Sequence, residues 1–195
     1  MTDDTQDKII DAFLVLAKDR AVHHISIADI EKQAALEKEA TDHNFTSVFN
    51  VVDAYLNKIN LQVVTSYTYD PEDTVRERLF DLLMQYFDAL DAHKEAALNI
   101  ERGFCARPLE LLKRRSEIHN LFHEMLDVTK ATSHRCRTPF KIRGLEGIFL
   151  MTYHVWKKDD TEDMAKTMAA LDKHLANAEK WAEKRNRFTW CRSAA

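Results

Sequence analysis

Glycine and proline are scarce in this sequence, with three of each among 195 residues. Average soluble proteins contain about 7% glycine and about 5% proline, and folds built from strands and tight turns use both residues at the turns. A chain with so few turn-forming residues folds most readily into long helices. The sequence therefore predicts an all-α protein, either one compact unit or a small head joined to a larger body.

Apolar residues recur at helical spacing along most of the chain. Residues 8–20 carry them at the i, i+3, i+4, i+7 positions of an amphipathic helix. A second helix is predicted to begin at Ser26, because Ser26 and Asp29 have the spacing of a capping box, in which each side chain binds the other residue's backbone amide. After a turn near 35–36, a longer helix is predicted over Val48–Thr65.

The clearest boundary in the sequence is the segment SYTYDPED at 66–73. Pro71 disfavours helix at the preceding residue and suits the first turn of the next helix. We therefore predict two domains, a head over 1–60 and a helical body over 61–195. Further helices are predicted over 75–90, 93–104, 108–132, 140–157 and 161–187.

The last two predicted helices have broad apolar faces. A face this wide is as expected of a two-fold dimer seam as of an internal core, and the sequence leaves both interpretations open. The residues concerned are Ile148, Phe149, Met151, Trp156, Met164, Met168, Leu171 and Leu175.

Several classes of protein are disfavoured. No apolar run reaches the ~18–20 residues of a membrane span, and the acidic start MTDDTQD does not resemble a signal peptide. We therefore expect a cytoplasmic protein with reduced cysteines. No nucleophile, phosphate-loop or metalloprotease motif occurs, so the sequence predicts neither an enzyme nor a cofactor. His119 and His123 have metal-ligand spacing but no third ligand, and no metal site is predicted.

The stretch ISIADIEKQAAL, at 25–36, resembles the helix-turn-helix head of TetR-family transcriptional regulators. Ser26, Asp29, Ile30 and Ala34 fall in register with the family pattern, and Phe45 matches its phenylalanine. Two stretches of the body, VRERLFDLLMQYFDALDAHKEAAL and WKKDDTEDMAKTMAALDKHL, resemble the ligand-binding half of a TetR branch. That branch is related to TetR-fold lipid-binding accessory proteins of ubiquinone biosynthesis.

The resemblance implies an all-α, TetR-like fold with a three-helix head and a ligand-binding, dimerising body. It also implies a homodimer that binds duplex DNA and a small apolar effector, whose binding would change the spacing of the two heads relative to successive major grooves. The alternative implied by the lipid-binding relatives is an accessory protein that acts at a membrane surface. The stretch CRTPFKIRG, at 136–144, lacks the aromatic Asn-Trp-Tyr pattern of those relatives.

The segment that would read DNA departs from the family pattern. Ala35 replaces the tight-turn glycine, Val48 replaces a lysine, and Glu37, Ala40, Asp42 and Asn44 occupy positions that contact phosphate in the family. Residues 1–60 carry six basic and eleven acidic side chains, and acidic groups repel the DNA backbone. The DNA-binding candidates are Ser26, Lys38, His43 and Asn44.

Apolar side chains of the body are candidates for lining an effector pocket, although residues at helical spacing are more often ordinary core. The candidates are Phe80, Met84, Phe87, Phe104, Leu111, Phe122, Met125, Phe149 and Tyr153.

The C-terminal stretch KWAEKRNRFTWCRSAA interleaves basic and aromatic residues. This mixture is typical of a helix at an anionic membrane surface, and more often of a helix end docked on its own body. Under the first interpretation, Trp181, Phe188 and Trp190 would contact the membrane.

Overall fold

The computed structural model describes residues 3–36, 45–131 and 138–193, and within these ranges it contains helices and no strands. The helices are α1 (Asp3–Asp19), a 3-10 turn (Val22–His24), α2 (Ile27–Ala34), α3 (Val48–Ser66), α4 (Val75–Asp91), α5 (Lys94–Ala106), α6 (Pro108–Lys113), α7 (Arg115–Val128), α8 (Thr138–Trp156) and α9 (Ala165–Ser193). The predicted all-α class is confirmed.

The chain forms two compact units. Unit 1 comprises Met1–Thr65 with Asp88–Ile118, and unit 2 comprises Ser66–Phe87 with His119–Ala195. The predicted head over 1–60 and body over 61–195 divide the chain by expected function and not by compactness. This division stays a prediction.

In unit 1, α1 packs against α2 and α5, and α5 packs against the 3-10 turn and α6. The apolar side of α1 is buried as its periodicity predicted, with Ile9, Phe13 and Ala17 fully enclosed. Since a surface helix is stabilised mainly by burying one face, these contacts fix α1 against its neighbours.

In unit 2, α8 packs against α9. Leu82 and Leu83 of α4, Trp156 of α8 and Leu171 of α9 are fully buried. For the apolar residues of α8 and α9, the sequence did not decide between a dimer seam and an internal core. Most of them lie in the core of unit 2. Met151 is half exposed and remains available to a seam.

One long predicted helix, 108–132, is broken in the structure. Arg114 ends α6 with a backbone conformation outside the α-helical region, and its side chain is held by carboxylates of α3 and α6. The periodicity of apolar residues gave no sign of this break, which occurs at a polar residue.

The turn between α8 and α9 is organised by Asp159, which is 3% exposed. Its carboxylate accepts hydrogen bonds from the backbone amide and hydroxyl of Thr161, at 3.1 and 2.6 Å. It also accepts from the amide and hydroxyl of Thr167, at 2.8 and 2.7 Å. Burial raises the pKa of the Asp159 carboxyl, but these four hydrogen bonds outweigh it and hold the pKa well below its usual range.

We expect Asp159→Asn to lower the free energy of unfolding at pH 7 by about 2 kcal/mol, because an amide cannot accept all four hydrogen bonds. A carboxyl whose pKa is lowered by folding stabilises the protein above its unfolded pKa of about 3.9 and loses that effect as the pH falls. The difference between wild type and variant should therefore shrink below about pH 4. Urea unfolding at several pH values measures this.

Asp160→Asn is the matched control, because Asp160 is exposed and its carboxylate pairs with Lys166 at the start of α9. Its effect should be much smaller at every pH. Equal losses in the two variants would contradict the role given to Asp159.

Candidate functional site

The capping box predicted at the start of α2 is present. The Ser26 hydroxyl accepts a hydrogen bond from the Asp29 amide at 3.2 Å and donates to its carboxylate at 2.8 Å. The Ser26 amide donates to the same carboxylate at 3.0 Å, and this bond, followed by that of the hydroxyl, lowers the pKa of Asp29. Ser26 thus has a structural use for its hydroxyl, and its predicted contact with DNA stays a prediction.

The turn after α2 keeps its shape without glycine. Ala35 adopts the left-handed conformation with φ of 51°. This conformation costs a residue with a Cβ about 1–2 kcal/mol. Its neighbour Leu36 donates its amide to the Glu31 carbonyl at 3.1 Å. Helix α2 therefore ends in a left-handed turn, at an energetic cost.

Three of the DNA-binding candidates, Lys38, His43 and Asn44, lie in 37–44, outside the described residues. The acidic residues of the same segment lie there too. The described chain resumes at Phe45, which is 7% exposed, and α3 begins three residues later. The family-matched phenylalanine is therefore a core residue of unit 1.

Contacts from α5 hold the end of α1. The Asn99 side-chain amide is buried and donates to the carbonyls of Ala17 and Lys18 at 2.8 and 3.1 Å. Gly103 lies so close to the 3-10 turn that a Cβ at this position would meet the Val22 Cβ at 3.0 Å. Neither residue was singled out from the sequence, since each acts on a partner about 80 residues away.

A second polar cluster in unit 1 is centred on Arg114. Its guanidinium makes a two-point ion pair with Asp53 at 2.5 and 2.8 Å and binds the Glu110 carboxylate at 2.9 Å. It also lies over the rings of Phe49 and Phe104. Phe104, a predicted effector contact, is therefore part of this cluster in unit 1.

The predicted effector residues of unit 2 meet around Phe149. Its ring centroid lies 5.2 Å from that of Phe87, 5.5 Å from Phe122 and 6.1 Å from Tyr153. Tyr86 adds an edge contact at 5.7 Å, and offset or edge-to-face arrangements of this kind are favourable. The structure thus brings four of the nine candidates into direct ring contact.

The other candidates are distributed differently. Met125 of α7 is fully buried in unit 2, and Met84 is half-buried on α4. Phe80 lines a groove of about 450 Å³ with Asp73, Asp81 and other polar residues. Leu111 is 45% exposed on α6 of unit 1. As ligand contacts, all nine stay predictions.

The histidines at 119 and 123 face separate carboxylates. His119 Nδ1 lies 3.8 Å from Glu146 Oε1, and His123 Nδ1 lies 2.9 Å from Asp127 Oδ2. Across 3–36, 45–131 and 138–193, no group of three or more His, Cys, Asp and Glu side chains is placed to hold a metal ion.

The predicted membrane contacts lie on α9. Trp181 is 76% exposed, whereas Phe188 and Trp190 belong to the part of the helix whose side chains are outside the description. Among the described helices, none is long and apolar enough to cross a bilayer.

Comparison with known proteins identifies the fold. No family model and no curated protein sequence matches the chain. Solved structures do match: a TetR transcriptional regulator from Nitrosomonas europaea ATCC 19718 has a TM-score of 0.73 at 19% identity, covering 89% of this chain and 97% of that one. A TetR-family transcriptional regulator from Streptomyces coelicolor has a TM-score of 0.64 at 15% identity, covering 96% and 87%.

A TetR transcriptional regulator from Rhodococcus sp. RHA1 is similar over 91% of this chain and 98% of its own, with a TM-score of 0.60 at 12% identity. The three likenesses extend over most of each chain. The predicted TetR-like fold is therefore confirmed. All three neighbours are described as regulators and none as an enzyme.

We expect Phe149→Ala to lower the free energy of unfolding by about 3 kcal/mol, because it removes the ring that the other aromatic side chains contact. Leu150→Ala on the same helix is the matched control, since Leu150 is 65% exposed and should change stability little. Denaturant unfolding of both variants measures the difference. A loss at Leu150 as large as that at Phe149 would contradict a packed cluster.

Proposed function

We propose that this chain is a TetR-like transcriptional regulator: a homodimer with a divergent DNA-binding head and an apolar effector site in its helical body. The observation that carries the proposal is the first helix of a helix-turn-helix, α2, together with the turn that ends it. The capping box and the left-handed turn are both present, in a chain whose fold matches regulators over most of its length.

The head should bind DNA weakly and with a shallow dependence on salt, because it neutralises few phosphates. Its reading segment supplies Lys38, His43 and Asn44 for base edges, contacts of a kind that read the major groove. The same segment carries Glu37, Glu39 and Asp42, which repel the phosphates that supply most of the affinity. Ser26 is the candidate at the start of α2.

The effector site proposed for the body is the aromatic cluster of unit 2. Phe149 and Tyr153 are partly accessible, and the rings around them are buried. An apolar ligand would therefore contact an aromatic surface that is already formed. A small, largely apolar effector fits this chemistry. We place Phe87, Phe122 and Met125 in its lining.

The dimer interface is proposed on α8. Phe140, Gly144, Gly147 and Met151 recur at i, i+4, i+7 and i+11 and so lie on one side of the helix. Phe140 and Met151 are 69% and 50% exposed, and a Cβ at either glycine would meet nothing within 4 Å. A second copy of α8 could approach closely along this side, as expected of a two-fold bundle.

A second function is favoured by one observation, the exposure of Trp181. An indole that is 76% exposed beside Lys180 and Lys184 has the chemistry of an interfacial membrane contact. The alternative is therefore a TetR-fold lipid-binding accessory protein that docks on membranes through the end of α9. Under either function we propose a cytoplasmic location.

If the head binds DNA, the combined change Glu37→Gln, Glu39→Gln and Asp42→Asn should tighten binding to duplex DNA by about tenfold or more. Removing three charges from the binding surface reduces repulsion and steepens the dependence of affinity on salt. Fluorescence anisotropy with a labelled duplex between about 50 and 200 mM salt measures both quantities.

The matched control is Glu72→Gln, Glu95→Gln and Glu162→Gln, which removes the same number of charges from exposed positions elsewhere. It should raise affinity far less. Equal gains in the two variants would show an effect of net charge alone and would count against the head as the DNA-binding surface.

If the alternative holds, Trp181→Ala with Phe188→Ala and Trp190→Ala should abolish binding to liposomes containing anionic lipid. Leu61→Ala with Leu109→Ala is the control, because both leucines are about as exposed as Trp181. Co-sedimentation measures the bound fraction, and unchanged binding of the aromatic variant would rule out this mode of docking.

A further inference from the structure

A groove of about 250 Å³ lies within unit 1, between α1, α3 and the end of α4. It is distinct in composition from the aromatic cluster of unit 2, and none of its residues was a candidate from the sequence. Its lining consists of Ile10, Asp11, Leu14, Tyr55, Lys58, Ile59, Gln62, Ala89, Ala92 and His93.

The inner wall of the groove is apolar. Ile10, Leu14 and Ile59 are at most 5% exposed, and Ala89 and Ala92 leave space where larger side chains would fill it. For comparison, a cavity of about 150 Å³ is sufficient to hold benzene. The groove therefore suits a molecule of roughly one ring with a short substituent.

Tyr55 is the unusual member of the lining. Its side chain is 3% exposed, and its hydroxyl has no hydrogen-bond partner among the described residues. Burial raises its pKa to about 12, so the hydroxyl is protonated at neutral pH and can donate. Because nearly all buried polar groups in proteins are hydrogen-bonded, an unpartnered buried donor indicates a missing acceptor.

The charges at the rim favour an uncharged partner. Lys58 is already paired with Asp7 at 2.7 Å, and Asp11 adds a further negative charge beside it. His93 presents its ring edge-on to Tyr55, with centroids 6.0 Å apart. A carboxylate ligand would therefore meet no free cation on this rim, whereas a carbonyl or hydroxyl oxygen needs none.

We propose that this groove is a binding site for a small uncharged apolar molecule, whose oxygen accepts a hydrogen bond from the Tyr55 hydroxyl. The apolar part of the molecule lies against Ile10, Leu14 and Ile59. The site is additional to the effector site proposed in unit 2, and one of its walls is α3, the helix that follows the reading segment in sequence. A ligand here would stabilise the packing of α1 against α3.

The test compares acetophenone with ethylbenzene, two probes of similar shape of which only the first carries a carbonyl oxygen. Each is titrated into the full-length protein, and amide chemical shifts are followed by two-dimensional NMR. We expect saturable shifts at the amides of Leu14, Tyr55, Ile59 and Ala92, with acetophenone binding the more tightly.

Tyr55→Phe should weaken acetophenone binding about fivefold, as expected for the loss of one neutral hydrogen bond, and leave ethylbenzene binding unchanged. The variant removes only an unpartnered hydroxyl, so it should fold as wild type does. Tyr67→Phe is the matched control, since burial also raises the pKa of Tyr67 but Tyr67 does not line the groove. Ala92→Phe, at the exposed rim, should block both probes.

Absence of saturable shifts at the groove, or equal binding of acetophenone to wild type and Tyr55→Phe, would overturn the proposal. Neither result requires DNA, so failure here is distinguishable from failure of the regulator function. Conversely, a head that binds no DNA would leave this binding site untouched.

Discussion

The head of this protein depends on a helix that comes much later in the sequence. The last carbonyls of a helix have no partner within it, and those of Ala17 and Lys18 at the end of α1 are bound by the buried amide of Asn99. Gly103, one turn further along α5, allows the 3-10 turn to pack directly on that helix. Together these contacts fix α1 and the turn leading to α2, and thereby the frame on which a reading segment would be mounted.

Helix α2 has a well-defined start and end, whereas the segment that follows it in the sequence is acidic. The Ser26–Asp29 box closes the start of α2, and Ala35 accepts a strained conformation at its end. Between this turn and Phe45 the sequence has acidic residues, whereas binding to DNA phosphates needs cations. A well-defined helix and turn, followed by a segment poorly suited to phosphate, are the physical basis for proposing weak DNA binding with a shallow dependence on salt.

Local features of the fold were predictable from the sequence, and contacts at long range were not. The spacing of apolar residues located α1, α3, α4, α8 and α9, and Ser26 with Asp29 located the start of α2, because each signal lies within one helical turn. The candidate effector residues show the limit of prediction from sequence. Phe87, Phe122, Phe149 and Tyr153 do meet, but Phe104 contacts Arg114 and Phe49 instead, since an apolar stripe does not specify which surface it packs against.

The groove beside Tyr55 could not be predicted from the sequence either. Its walls come from helices far apart in sequence, and its expected ligand depends on one hydroxyl without a partner among the described residues. The break at Arg114 has the same origin, in a side chain whose partner Asp53 is 61 residues away. The features that the sequence did not predict therefore depend on polar side chains whose partners or neighbours are far away in sequence, within an otherwise predictable helical framework.

The proposed function requires that the head recognises DNA. The most direct measurement is selection by the purified full-length protein from a pool of random duplexes at low salt, followed by sequencing of the bound fraction. The account predicts enrichment of a palindromic sequence, with half-sites about one helical turn apart as a two-fold dimer requires. Recovery of no enriched sequence, with an isoprenoid or acyl lipid found in the same preparation by native mass spectrometry, would contradict it and favour the lipid-binding alternative.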